Sequence, residues 1–221
     1  MKQHDPARIR IARRIARELR PGTVVNLGVG IPTLIPDYVD PGNKVFLQSE
    51  NGLLGMGPTP PPEELDMDLI NASKHPVTLE SGASLFNSAD SFAMIRGGHI
   101  DLAVLGALQV SETGEIANWA VPGQDIVGVG GAMDLVAGAK RIIVAMTHVA
   151  KDGKPKLVGT LDYPSSGIRP ASMVVTEKAV FEFEDGRMIL REIAEDTNLD
   201  DIRRTTGARF EVSENWTYMP C

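Results

Sequence analysis

The stretch Thr23 to Gln48, TVVNLGVGIPTLIPDYVDPGNKVFLQ, decides the fold. Thr23 to Leu27 is a short apolar run closed by Gly28-Val29-Gly30, the pattern of a buried strand that ends in a glycine turn. Pro32 suits the first turn of a helix over Ile31 to Val39, and Lys44 to Gln48 reads as a second strand. Strands alternating with helices predict an α/β fold with a largely parallel sheet.

The alternation continues outward. Val77 to Leu79, Leu102 to Leu105 and Arg141 to Met146 read as strands, Ser88 to Arg96 and Ala132 to Ala139 as helices. Leu53 to Asp68, with Pro58, Pro60, Pro61 and Pro62, reads as a loop. Near the end, Val180 to Phe183 and Met188 to Leu190 flank Asp185-Gly186, a hairpin signal, and Leu199 to Thr206 reads as a short helix. The expectation is one α/β domain over residues 1–221, with an open, mostly parallel sheet flanked by helices and a C-terminal hairpin.

Upstream, Asp5-Pro6 is a helix-start signal. Ile9, Ala12, Ile15, Ala16 and Leu19 recur at helical spacing, while Arg10, Arg13, Arg14, Arg17 and Arg20 occupy the opposite arc. A targeting peptide or membrane-surface helix would share this pattern. The segment lacks Ser, contains Glu18 and stops at Pro21-Gly22 directly before a strand, so it reads as a domain helix with a solvated or partner-facing arginine side.

The chain carries a net charge of −7 with 43% hydrophobic residues, an ordinary globular composition. Residues 1–20 hold seven basic and two acidic side chains, which leaves −12 on the remainder. That acidic body argues against nucleic acid as a partner, because such affinity comes from neutralising phosphates. The single cysteine, Cys221, excludes a disulfide framework and a Cys-based zinc site. No apolar run approaches the roughly 20 residues of a membrane span. The expected setting is cytoplasmic, with no membrane partner.

Three glycine-rich turns stand where strands should end: Asn26 to Pro32, Ser49 to Gly57 and Gly128 to Asp134. In open α/β sheets ligands bind outside the strands' carboxyl ends, where glycines allow close approach and helix N-termini attract anions. The dinucleotide fingerprint is not met, since Gly28 and Gly30 are followed by Ile31, Pro32 and Thr33. Gly82 to Phe86 resembles a serine elbow without its last glycine, and His4, His75, His99 and His148 lack metal-ligand spacing, so no metal is expected. Glu50 sits on a tight turn after a strand, which is equally the place of a solvated loop glutamate.

Ser49-Glu50-Asn51-Gly52 within Gln48 to Gly57 resembles the active-site signature of the 3-oxoacid coenzyme A transferases, specifically their B (beta) subunit. Arg10 to Pro32, Asp68 to Lys74 (DLINASK), Ser88 to Gly106, Ile116 to Pro122 (IANWAVP) and Gly128 to Lys140 (GVGGAMDLVAGAK) are similar to the same family, in the same order. The resemblance implies the CoA-transferase fold and a ping-pong transfer of coenzyme A between an acyl-CoA and a 3-oxoacid or short-chain carboxylate. It assigns catalysis to Glu50, through anhydride and thioester intermediates, and to Gly131 as a backbone amide donor. Gly130, Lys74, Asn51, Gly28 and Gly30 fall at the coenzyme A site, with Asn26 in the same site wall. Coenzyme A is then substrate and covalent intermediate, with no permanent cofactor. A carboxylate with an ordinary pKa near 4.3 is ionised at neutral pH and needs no histidine base.

The resemblance also implies an A (alpha) subunit partner in an αβ or α2β2 assembly, the length here accommodating only the B half. Two segments depart from the family pattern. Glu80 to Ser84 replaces a Pro-Gly-Ala-Ser segment, and Leu157 to Met173 (LVGTLDYPSSGIRPASM) diverges, which bears on acyl specificity more than on reaction type. An acyl-CoA hydrolase on the same scaffold and a non-catalytic metabolite-binding subunit are the alternatives.

Overall fold

A computed structural model describes residues 5–121, 123 and 128–220. Lys2, His4, Cys221 and the Pro122 that ends the IANWAVP segment lie outside the described residues. In chain order the elements are α1 (Pro6–Ala16), β1 (Val24–Leu27), β2 (Phe46–Ser49), β3 (Leu53–Met56), β4 (Leu79–Leu85), α2 (Ser88–Arg96), β5 (Leu102–Gly106), β6 (Gln109–Ser111), β7 (Ile116–Ala117), α3 (Ala132–Gly138), β8 (Arg141–Ala145), β9 (Leu157–Val158), β10 (Met173–Val175), β11 (Ala179–Glu184), β12 (Arg187–Ile193), α4 (Leu199–Thr205) and β13 (Glu211–Tyr218).

Ten of these strands form one open sheet in the order β13-β12-β11-β10-β8-β5-β1-β2-β3-β4. Its centre, β10-β8-β5-β1-β2, is parallel throughout, and β12 and β13 add a further parallel pair. Antiparallel strands extend both sides of the centre. Strands β7-β6-β9 make a small second sheet.

The side-chain period of two sorts the central strands between two cores. Leu102 and Val104 of β5, Ile143 and Ala145 of β8 and Met173 and Val175 of β10 pack with Ile11, Ile15 and Leu19 from the first helical segment. Ala103 and Leu105, Ile142 and Val144, and Val174 face the other way, onto Ile95, Leu135 and Val136 from α2 and α3. The result is helices on both faces of a sheet whose middle is buried.

Several elements differ from the sequence expectation for identifiable reasons. Residues 31–38 form a 3-10 helix rather than an α-helix, because Pro32 and Pro36 remove backbone donors that an α-helix would use. Helix α1 ends at Ala16, and the chain continues through i→i+3 bonds at Glu18 and Leu19. Leu53–Met56, expected as loop, is a strand, and the strand expected at Val77 to Leu79 lies instead at Leu79–Leu85. Strand β13 was hidden for the same reason as β4: both lie at sheet edges with mostly exposed residues, so neither shows an apolar alternation. The hairpin turn does form at Asp185-Gly186, both residues having positive φ (52° and 74°).

The arginine arc of α1 is not simply solvated. Arg14 is 7% exposed and bonds Glu192 of β12 through Nε and Nη2 (2.7 and 2.8 Å) and Glu18 through Nη1 (2.7 Å). Arg141 joins Glu18 from β8 at 2.7 Å, and Arg10 makes a fork to Asp196 at 2.8 Å. Burial raises the Glu18 pKa, but the hydrogen bonds from Arg14 and Arg141 more than offset this and leave it below the ordinary value. His148 is fully buried between the hydroxyls of Thr176 and Thr206, each at 3.0 Å, and burial holds it down at about 4, so it is neutral. Among the described residues no helix is long and apolar enough to cross a membrane.

Replacing Arg14 by Ala removes both guanidinium bonds to Glu192, leaves Glu18 with Arg141 alone, and is expected to cost about 3 kcal/mol, read from the urea midpoint at pH 7. Because the Glu18 pKa is depressed on folding, its contribution is present above the unfolded value near 4.3 and is lost as pH falls through the folded value. The penalty of Arg14→Ala should therefore shrink below about pH 4.

Candidate active site

Strands β1, β2 and β5 end on the same side of the sheet, and a cavity of about 480 Å³ opens there. Its walls come from the turn after β1 (Gly28), the turn after β2 (Glu50), the loop at Ala72 and Ser73, Trp119, and the glycine run entering α3. The location is the crevice at the strands' carboxyl ends where α/β sheets bind ligands.

Glu50 is placed by a closed β-turn. Ser49 O accepts from Gly52 N at 3.0 Å, so β2 and β3 form a hairpin whose first corner residue is Glu50. Gly52 has φ 119°, and a Cβ there would overlap the Phe86 carbonyl, so only glycine permits this close approach. From the other side comes Gly131, the N-cap residue of α3: a Cβ on it would overlap Glu50 Oε2. The carboxylate thus lies directly against the backbone of Gly131.

The loop carrying Ala72 and Ser73 is tied to the same turn. Ser49 Oγ accepts from Ala72 N at 2.9 Å, Asn51 Nδ2 donates to Ile70 O at 2.7 Å, and Asn71 Oδ1 accepts from the amides of Ser73 and His75. Trp119 and Asn118 are held from the divergent segment: Trp119 Nε1 donates to Ser165 O at 3.2 Å and Ser166 Oγ to Asn118 Oδ1 at 2.7 Å.

Glu50, Gly131, Gly130 and Gly28, together with Asn26, meet around the cavity. Asn51 is exposed and fastens the turn to the 70–73 loop instead of lining the cavity. Lys74 is exposed, with φ 62°, one residue beyond the lining pair Ala72 and Ser73. Gly30 caps the 3-10 helix and faces Arg8. Gly28 has a packing reason of its own, since a Cβ there would press on the Val104 carbonyl, to which its N–H donates at 2.8 Å. The sequence reading missed Gln48, Ser91 and Asp134. Their signal was a polar residue inside an apolar strand (Gln48), a polar residue on the inner face of a helix (Ser91) and an acid on the first turn beside the glycine run (Asp134).

Glu50 is not an ordinary carboxylate. Burial pushes its pKa up, and the negative charge of Asp134 adds to that rise. Asp134 is itself paired to Arg96 of α2 at 2.6 Å.

The acyl-CoA transferase of Escherichia coli O157:H7, solved as a thioester complex with CoA, superposes with a TM-score of 0.74 at 24% identity, covering 100% of this chain and 44% of that one. The coenzyme A transferase family model matches residues 8–205. The chain is 50% identical over 209 residues to the B subunit of the probable succinyl-CoA:3-ketoacid coenzyme A transferase of Bacillus subtilis, covering 95% of this chain and 97% of that one. It is 51% identical to the beta subunit of the acetate CoA-transferase of Escherichia coli K12, covering 94% of each. The chain belongs to the coenzyme A transferase family, and the relatives it matches end to end are its B (beta) subunits.

The electrostatics yield two expectations. In a carboxyl NMR titration Glu50 should titrate above the ordinary glutamate range, and Asp134→Asn should move it down; an unmoved midpoint would contradict the assigned cause. A carboxyl whose folded pKa exceeds its unfolded pKa loses stability as pH rises through that interval, so ionised Glu50 opposes folding at neutral pH. Glu50→Gln should raise Tm at pH 7.5, with the gain vanishing below the unfolded pKa.

Proposed function

We propose that this chain is the B half of a ping-pong CoA-transferase in which Glu50 is the nucleophile. The observation that carries this is the Glu50 carboxylate seated against the Gly131 backbone inside the cavity. A Glu50 oxygen attacks the thioester carbonyl; the C–S bond breaks and gives an acyl-glutamyl anhydride and coenzyme A thiolate. The thiolate then attacks the glutamyl carbonyl, the anhydride C–O bond breaks, and the first acid leaves with an enzyme–CoA thioester behind it. An acceptor carboxylate reverses both steps.

The environment suits that chemistry. A raised pKa leaves the ionised carboxylate more basic, and so a stronger nucleophile, than a solvated glutamate. Each tetrahedral intermediate carries an oxyanion, and we assign its stabilisation to a backbone amide of the Gly130-Gly131 pair; one such donor is worth about 3 kcal/mol. Gly28 and Gly30 hold the β1 turn, and Asn51 holds the Glu50 turn against the 70–73 loop. Lys74 stands at the rim, where it meets the negative charge of coenzyme A. The divergent segment, through Ser165 and Ser166, sets Trp119 and Asn118 and with them the space for the acyl group.

The relatives are named as subunits, so an A (alpha) subunit completes the pocket, in an αβ or α2β2 enzyme of the cytoplasm. Succinyl-CoA or acetyl-CoA as donor with a 3-ketoacid or short-chain acid as acceptor is the substrate class we assign. With the A subunit co-expressed, Glu50→Gln should lower transfer by about 10⁴-fold or more while the complex still assembles. Acyl-CoA without acceptor should leave this chain heavier by covalent coenzyme A in mass spectrometry. Catalytic release of free coenzyme A that ignores the acceptor acid would instead identify a hydrolase.

A further inference from the structure

Behind Glu50 lies a chain of buried polar side chains that packing alone does not require. Asn26 on β1, Gln48 on β2 and Ser91 on α2 are 3%, 3% and 0% exposed, and Asn26 and Gln48 are register partners in the sheet. Asn26 Nδ2 donates to Gln48 Oε1 at 2.5 Å and to the Gln48 backbone carbonyl at 3.4 Å. Gln48 Nε2 donates to Ser91 Oγ at 2.8 Å and to the Ser49 carbonyl at 3.2 Å.

The two ends of a side-chain amide are told apart by their partners. Here the partners are decisive, because a backbone carbonyl only accepts. Ser49 O therefore takes the NH₂ end of Gln48, which turns Gln48 Oε1 toward Asn26. Two acceptors then face Asn26, Gln48 Oε1 and the Gln48 carbonyl, and both demand its NH₂ end. What remains is Asn26 Oδ1. Asn26 lines the cavity, and none of the described residues donates to that oxygen.

We infer that Gln48, anchored by Ser49 and Ser91, is a positioning residue that holds the Asn26 amide with its carbonyl oxygen toward the cavity. That wall accepts a hydrogen bond from an N–H or O–H of the ligand and repels a carbonyl or carboxylate oxygen. Asn26 and the glycine turn beside Glu50 both line the cavity, so a ligand seated against Glu50 lies within the same walls as that acceptor. The inference rests on the proposed transferase reading for the identity of the ligand, but the orientation of Asn26 follows from the hydrogen bonds alone.

Gln48→Met keeps the length of the side chain and removes its polar end. With the co-expressed A subunit it should lower kcat/KM for acyl-CoA about tenfold, the scale of one misplaced hydrogen bond, chiefly through KM. In an Asn26→Asp background the same substitution should cost nothing, since both ends of a carboxylate accept; a loss of equal size in both backgrounds marks a purely structural role and overturns the inference. A second readout needs no activity and also decides the matter where Asn26→Asp is inactive. In the full chain labelled with ¹⁵N-asparagine, the Asn26 side-chain amide should exchange slowly with solvent in the wild type and quickly in Gln48→Met, both measured well below the Tm of the variant, with backbone amides of the central strands equally protected in the two. Equal exchange in the two overturns the inference, whereas absent transfer in the wild type defeats only the proposed function.

Discussion

Everything at the site depends on a contact between a carboxylate and a peptide backbone. Glu50 reaches Gly131 only because neither partner has a side chain in the way: Gly131 offers bare backbone, and Gly52 lets the turn press against Phe86. The two sides of this contact come from different layers, the β2-β3 hairpin of the sheet and the N-terminus of α3. Sheet and helix must therefore be registered to within the width of a methyl group. The packing of Leu135 and Val136 of α3 among Leu105, Ile142 and Val144 of the sheet supplies that register.

The same contact is costly to the fold. A half-buried carboxylate with an acid nearby and no described cation bonded to it opposes folding at neutral pH. Stability comes from elsewhere, from the two apolar cores and from buried ion pairs such as Arg14 with Glu18 and Glu192. These ion pairs lie on the α1 side, where they join the first helix to β8 and β12. The contrast is instructive: Glu18 and Glu50 are both partly buried, yet two guanidiniums depress one pKa while desolvation and Asp134 raise the other. Neighbours, and not residue type, decide which glutamate is held ionised as a strut and which has its pKa raised beside a cavity.

Much of this architecture is legible in the residues themselves. The central parallel strands and the helices Ser88–Arg96 and Ala132–Gly138 announce themselves because burial on both faces forces continuous apolar runs and flanking periodicity. Strands β4 and β13 do not, because an edge strand with exposed faces is under no compositional pressure to look like a strand. At the site, Glu50 and the glycines are legible as a turn signature. Asn51 and Lys74 illustrate the limit of such signatures: both belong to matching segments, but one fastens loops and the other stands outside the cavity lining. The ion pairs on the arginine arc of α1 are hidden for a related reason, since helical periodicity shows which face is polar, not what meets it.

Gln48 and Ser91 are the least legible, and the reason is physical. A glutamine within Phe46-Leu47-Gln48-Ser49 reads as an interruption of a buried strand, and a serine within a helix as neutral filler. Only three-dimensional pairing reveals that each satisfies the other, and that the chain of donors begins at a backbone carbonyl, which cannot reverse its polarity. Buried polar groups that are fully paired are tolerated in a core, while half-paired ones are expensive. In this network the one acceptor left without a described donor, Asn26 Oδ1, belongs to the residue that lines the cavity. An unfilled acceptor at that point costs little while water reaches it, and it becomes a directional contact once a ligand displaces the water.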